Sequence, residues 1–188
     1  PYPCCLTEDV IGEQDTSECE DETLCDEGYT EIDCLCYYQS DLDVLQDIID
    51  VNENVGGFYQ GLGGETPLEI GGYECRESEE HSYDCQVWSN GRINVLNLDE
   101  RLVTFLPESI GNLTELEVLS LAECQLTSLP DSFFDLNNLK VLKLEGSLTT
   151  LSDSIIKLTN LTSLSLSHNE LTSLPESIGN LSSLEGLS

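Results

Sequence analysis

The second half of the chain places apolar residues on a fixed beat. Leucine or isoleucine stands at Ile93, Leu96 and Leu98, then at Leu116, Leu119 and Leu121, then at Leu139, Leu142 and Leu144, then at Leu161, Leu164 and Leu166, and last at Leu184 and Leu187. Successive units are offset by 23, 23, 22 and 23 residues. In LEVLSLAECQL the leucines alternate with Val118, Ser120 and Ala122, which is the period of a short strand sending Leu119 and Leu121 to one face. A unit this small cannot bury its leucines alone, so neighbours must stack, and stacked strands build one parallel sheet along a curved solenoid.

A Leu-Pro pair after three of the strands (Leu106-Pro107, Leu129-Pro130, Leu174-Pro175) turns the chain out of the sheet, because proline lacks the ladder N–H. The Pro-Glu-Ser-Ile or Pro-Asp-Ser-Phe that follows predicts a short helical or 3₁₀ turn. Its Ile110, Phe133 or Phe134, Ile155 or Ile156, and Ile178 would close the back of the core. This period, with its pattern L-x-x-L-x-L-x-x-N/C-x-L, resembles the leucine-rich repeat family over about half the chain. The resemblance implies an α/β solenoid, a horseshoe lined by a parallel sheet. It also implies an asparagine or cysteine at the corner after each strand, the place of Asn169 and of Cys124, the latter a buried free thiol. The third unit departs from the pattern: EGSLTTL is one residue short.

Ahead of the repeats, SDLDVLQDIIDVNENV (40–55) reads as a helix with Val44, Ile48, Val51 and Val55 on one face and Leu45 and Ile49 beside them. Ser40 and Asp43 suggest a capping box, and Asp41, Asp43 and Asp47 suit the positive helix start. Carboxylates this dense could hold calcium, but the EF-hand order of ligands is missing and a solvated face is the expectation. The glycine-rich stretch 56–72 lacks GK[ST] and reads as a surface loop. The segment 75–98 resembles, with the helix before it, the amino-terminal cap of plant-type extracellular leucine-rich repeat proteins, through Trp88, Gly91, Arg92, Ile93, Leu96 and Leu98. That resemblance implies a Cys75–Cys85 bond, although Trp88 follows both cysteines instead of lying between them. Three regions result: a cysteine-rich head (1–39), a cap (40–92), and four repeats with a partial fifth (93–188).

Cysteine usage and charge set the compartment. Cys4, Cys5, Cys19, Cys25, Cys34, Cys36, Cys75 and Cys85 all precede the repeats, in an acidic stretch with little apolar material. This predicts a disulfide-rich framework in an oxidising compartment, with a zinc cluster as the alternative. The six cysteines of the head allow 15 pairings, and spacing does not choose among them. No apolar run is long enough for a membrane span, and no secretory leader is visible, so the expectation is a secreted, mature chain. The sequons at Asn112, Asn160 and Asn180 fit that expectation as N-linked glycan sites. A net charge of -31 argues against nucleic acid and anionic membranes, and draws cations or basic partners.

No catalytic constellation is present: His81 and His168 stand apart, no nucleophile or metal-protease motif occurs, and neither enzymatic activity nor a cofactor is expected. What remains is surface. The outward strand positions include Asn97, Asp99, Ser120, Lys143, Glu145, Ser163, Ser165 and Ser167, and the resemblance makes this concave face the expected binding surface for a protein. Leu184 and Leu187 form an open edge that further repeats, or a second copy stacked head to tail, would cover. The functional expectation is a secreted structural or adhesive interaction protein of a matrix, wall or surface filament. The alternative is a ligand-recognition module of a longer receptor or inhibitor.

Overall fold

The computed structural model describes residues 25–32, 35–52, 86–99, 101 and 103–188. From the amino end these residues run through a hairpin, β1 (Tyr29–Ile32) and β2 (Leu35–Tyr38), directly into a helix, α1 (Gln39–Asn52). A six-stranded sheet follows: β3 (Val87–Ser89), β4 (Arg92–Asn97), β5 (Val118–Leu121), β6 (Val141–Leu144), β7 (Ser163–Ser165) and β8 (Gly186–Leu187), each beside its neighbour in sequence. β3 and β4 are antiparallel, and every later pair is parallel.

The register explains the sequence beat. Leu96, Leu119, Leu142, Leu164 and Leu187 lie opposite one another across five strands, so equivalent leucines stack in one column. All but Leu187, on the last strand, are buried, and each buried leucine contributes roughly 2–3 kcal/mol relative to an exposed one. Each crossover contains a 3₁₀ turn, at Glu108–Asn112, Asp131–Asp135, Asp153–Lys157 and Glu176–Asn180. Pro107, Pro130 and Pro175 hold the extended entry to three of them. The third unit has Ser152 there instead, whose hydroxyl accepts a hydrogen bond from the Ser154 N–H at 3.1 Å and starts the turn by capping. Ile110, Phe133, Phe134 and Ile155 form the back wall; Ile156 faces out and Ile178 is half-buried.

The shortened third unit closes tightly. Gly146 lies so near the Cys124 carbonyl that any added Cβ would overlap it, so glycine is required where the corner loses a residue. Asn169, one unit on, repairs the polar accounts of this corner. Its Nδ2 donates to the Leu144 and Leu166 carbonyls at 2.5 and 2.9 Å, and its Oδ1 accepts from the Leu148 N–H at 3.0 Å. Cys124 serves the same slot with sulfur: its Sγ donates to the Leu98 carbonyl at 3.2 Å and accepts from the Val103 backbone. Leu98 and Val103 are the counterparts, in the first unit, of Leu144 and Leu148.

Cys124 is free and buried, and burial first, then the Asp99 carboxylate, push its thiol up to about 12, against a small opposing effect of the Val103 hydrogen bond. A raised folded-state pKa means that the fold keeps a proton the unfolded chain gives up. Cys124 therefore leaves stability unaffected below pH 9, and its contribution is lost as pH rises from about 9 to about 12. We expect iodoacetamide at pH 8 to spare Cys124 in the native protein and to modify it fully in denaturant. The unfolding free energy should fall more steeply between pH 9 and 12 in the wild type than in Cys124→Ser. Equal slopes would refute the assignment.

The helix covers most of the expected 40–55, of which residues 53–55 with Val55 lie outside the described residues, and it buries Val44, Leu45, Ile48 and Ile49 as expected but not Val51. Asp41, Leu42, Val44, Leu45, Ile48, Ile49 and Asn52 face inward, while Val51 is exposed. The two buried polar residues are the reason. Asp41, completely buried, accepts from Arg92 Nε at 2.9 Å, Arg92 Nη2 at 3.1 Å and the Ile93 N–H at 3.1 Å, and so clamps α1 to β4. Asn52 closes the other end of the helix by donating to the Phe105 carbonyl at 3.0 Å and accepting from the Thr104 N–H at 2.9 Å. Burial pulls the Arg92 guanidinium down, but the hydrogen bond and charge of Asp41, with Glu115 and Tyr38, outweigh it and hold Arg92 above its ordinary value. The carboxylates at the helix start have partners within the protein. Asp41 is consumed by Arg92, Asp43 accepts from Gln39 Nε2 at 2.6 Å, and Asp47 accepts from Ser109 Oγ at 2.6 Å.

One disulfide, Cys25–Cys36, ties the lead-in of β1 to β2. Cys4, Cys5, Cys19, Cys34, Cys75 and Cys85, with the glycine-rich stretch 56–72, lie outside the described residues. The hairpin packs against the start of the sheet. The Tyr38 N–H donates to the Gly91 carbonyl at 2.7 Å, and the Tyr37 and Trp88 rings meet edge to face at 5.0 Å. Gly91 has φ of 73° beneath the Cys36 carbonyl and the Tyr29 ring, so this turn needs glycine for both conformation and space.

Candidate functional site

Alternation along the strands gives the sheet one apolar face and one open face, and the open face carries the residues expected to bind. They are not equally available. Asn97 is buried, and its Oδ1 accepts from the Asp99 N–H at 2.7 Å. Asp99 Oδ1 accepts from the Ala122 N–H at 2.7 Å. Both side chains thus serve the backbone at the end of β4 and the start of the next corner. Ser120 is buried as well, which corrects its expected exposure: period-two alternation assigns a face but not a depth, and a short serine sinks between larger neighbours.

Further along, the face opens. Ser163 is exposed, and Lys143, Glu145, Ser165 and Ser167 are half-buried. Ser165 Oγ donates to Glu145 Oε1 at 2.8 Å, which draws that carboxylate toward β7. Other described cations have partners: Arg92 pairs with Asp41, Lys140 with Glu117 at 2.8 Å, and Lys157 with Asp135 at 3.6 Å. Among the described residues Lys143 has no ion-pair partner. A surface of this kind, polar with a valine edge (Val95, Val118, Val141), offers hydrogen bonds and one positive charge, and no paired acid and base for catalysis.

Of the sequon asparagines, all three are exposed, and the Asn160 amide donates to the Asn137 carbonyl at 2.7 Å. Leu184 is half-buried against the core and Leu187 is exposed on β8. Among the described residues no group of three or more histidine, cysteine or carboxylate side chains is arranged for a metal ion. No described helix is long and apolar enough to cross a membrane.

Residues 68–188, well over half of the chain, match the family model described as a leucine-rich repeat region. The chain belongs to the leucine-rich repeat family. Domains of this family generally mediate protein–protein interaction and are typically not enzymes. Among solved structures, a leucine-rich repeat protein of Leptospira interrogans is 41% identical, over 47% of this chain and 23% of that one, with a TM-score of 0.46. An internalin of Listeria monocytogenes is 28% identical over 50% of this chain and 27% of its own, with a TM-score of 0.45. Internalin C2 of the same organism is 25% identical over 53% and 42%, with a TM-score of 0.47. The chain spans less than half the length of each. No curated protein matches it.

Proposed function

We propose that this leucine-rich repeat chain is an extracellular interaction module, acting in adhesion or structure at a surface, wall or matrix, whose open sheet face receives a protein partner. The observation that carries the reading is the division of that face. Asn97 and Asp99 are spent on backbone near the cap, whereas the side chains of Lys143, Ser163 and Ser167, toward the middle and far strands, make no hydrogen bond or ion pair among the described residues. The Cys25–Cys36 disulfide and the exposed sequons support an oxidising, extracellular setting. The strongly acidic charge favours a partner with a basic surface.

The test is substitution on that face. Ser163→Arg and Ser167→Arg should weaken partner capture about tenfold or more, while Glu176→Arg, on the turn behind the sheet, should not. Equal behaviour of the three variants would remove the sheet from consideration. A second reading, recognition of a soluble or surface ligand within a longer protein, differs in whether the partner is another copy. Light scattering separates them: concentration-dependent growth that Leu187→Glu suppresses favours self-assembly, and a monomer that still captures a partner favours recognition.

A further inference from the structure

We propose that Lys143 and Ser120 form a subsite for a single carboxylate, the side chain of an aspartate or glutamate on the partner protein. The inference rests on the open face being the binding surface, and it names the group that face takes.

The two residues are placed together by the sheet. Ser120 on β5 and Lys143 on β6 are register partners, and they lie on the face opposite the buried leucines Leu119, Leu121, Leu142 and Leu144. Parallel strands are about 4.8 Å apart, within the reach of one small ligand group. Ser120 is 2% exposed, and its Oγ has no hydrogen-bond partner. Buried polar atoms are nearly always paired, so an orphaned hydroxyl beside a polar surface marks a place where a partner is missing. Lys143 is the second orphan. Half-buried on a chain of net charge -31, it has no carboxylate of its own, and Glu145, two residues along the same strand, is held by Ser165 instead. An ammonium without a counter-charge, next to a hydroxyl without a partner, is a pair of donors that one bound anion would satisfy together.

The surroundings select the anion. Glu145 and Asp99 share the face, so a dianionic phosphate or a polyanion would carry excess charge against them, whereas a monoanionic carboxylate matches the single ammonium. One oxygen would accept from Lys143 Nζ and the other from Ser120 Oγ, each a donor without an acceptor among the described residues. Lys143 lies beside Ser120 in the sheet register, and its flexible stem lets the ammonium follow a ligand to that hydroxyl.

The experiment is an amide-resolved NMR titration of the isotope-labelled full chain with N-acetyl-glutamate amide, N-acetyl-glutamine amide and inorganic phosphate. The glutamate probe should give saturable shifts at Ser120 and Lys143, and the glutamine probe none. Binding should weaken about tenfold in Lys143→Gln and about threefold in Ser120→Ala, and stay within about threefold in Lys143→Arg, which keeps the charge. Unchanged spectral dispersion elsewhere in each variant shows that the fold persists. The proposal is overturned if glutamine binds as well as glutamate, if phosphate binds more tightly at the same residues, or if no saturable shift occurs there. In that last case, partner capture that still depends on Ser163 and Ser167 would leave the wider reading of the face intact and remove only the subsite.

Discussion

Replacing Asp41 by alanine should lower the unfolding free energy by about 3–5 kcal/mol, because it leaves the Ile93 N–H without its acceptor and the Arg92 guanidinium without its counter-charge, holding only Thr114 Oγ1 and the Tyr38 ring. Arg92→Ala should cost nearly as much, since it leaves a buried carboxylate with only one remaining donor, and the double variant should cost less than the two added together. The damage should also be local. Asp41 ties the helix to Arg92 and Ile93 at the start of β4, so hydrogen exchange should accelerate in β4 before it does in β6 or β7. Urea titration of the three variants measures the first effect. A loss under about 1 kcal/mol for Asp41→Ala would show that the pair is solvated and that the clamp is not what holds the helix.

Asn169→Leu should cost about 3 kcal/mol, although the substitution adds apolar surface at a half-buried position. The reason is what it abandons: the Leu148 N–H and the Leu144 carbonyl lose their partner together, and each orphaned backbone group costs ~1–3 kcal/mol. Asn169→Cys should recover part of this loss, since Cys124 already makes the equivalent pair of contacts with Leu98 and Val103 in the corner of the second unit. Denaturant midpoints for the two variants settle the matter. If Asn169→Leu lies within ~0.5 kcal/mol of the wild type, water reaches that corner and the amide ladder is dispensable.

The comparison of these two sites shows what a sequence reveals and what it hides. The repeat was legible because its signal is redundant: Leu119, Leu142 and Leu164 occur at nearly equal offsets, and register follows from the offset. The corner slot was legible for the same reason, through Asn169 and Cys124. The helix was legible as a helix, but its orientation was read from apolar residues alone, which put Val51 inside. Asp41 and Asn52 lie on the buried side instead, and a buried carboxylate gives no periodic signal of its own. Its partner Arg92 lies 51 residues away in sequence. Asn90-Gly91, by contrast, was an available hairpin signal between two short β-rich runs, and the positive φ at both positions is what such a pair favours. On the open face, alternation named the right side of the sheet for Ser120 and Asn97 but could not say how deep they sit, since depth depends on which neighbours flank them.

The antiparallel start of the sheet gives this architecture a direction. β3 reaches β4 through a tight turn at Asn90 and Gly91, and the hairpin of β1 and β2 is tied onto that turn through Tyr38. A unit inserted between β3 and β4 would have to reproduce the turn, the Asp41 clamp and the hairpin contact at once. A unit inserted after β5 or β7 would meet only a surface like its own. The array therefore has a fixed origin and a free length, so that duplication or loss of whole units changes the reach of the open face while leaving its first strand in the same place.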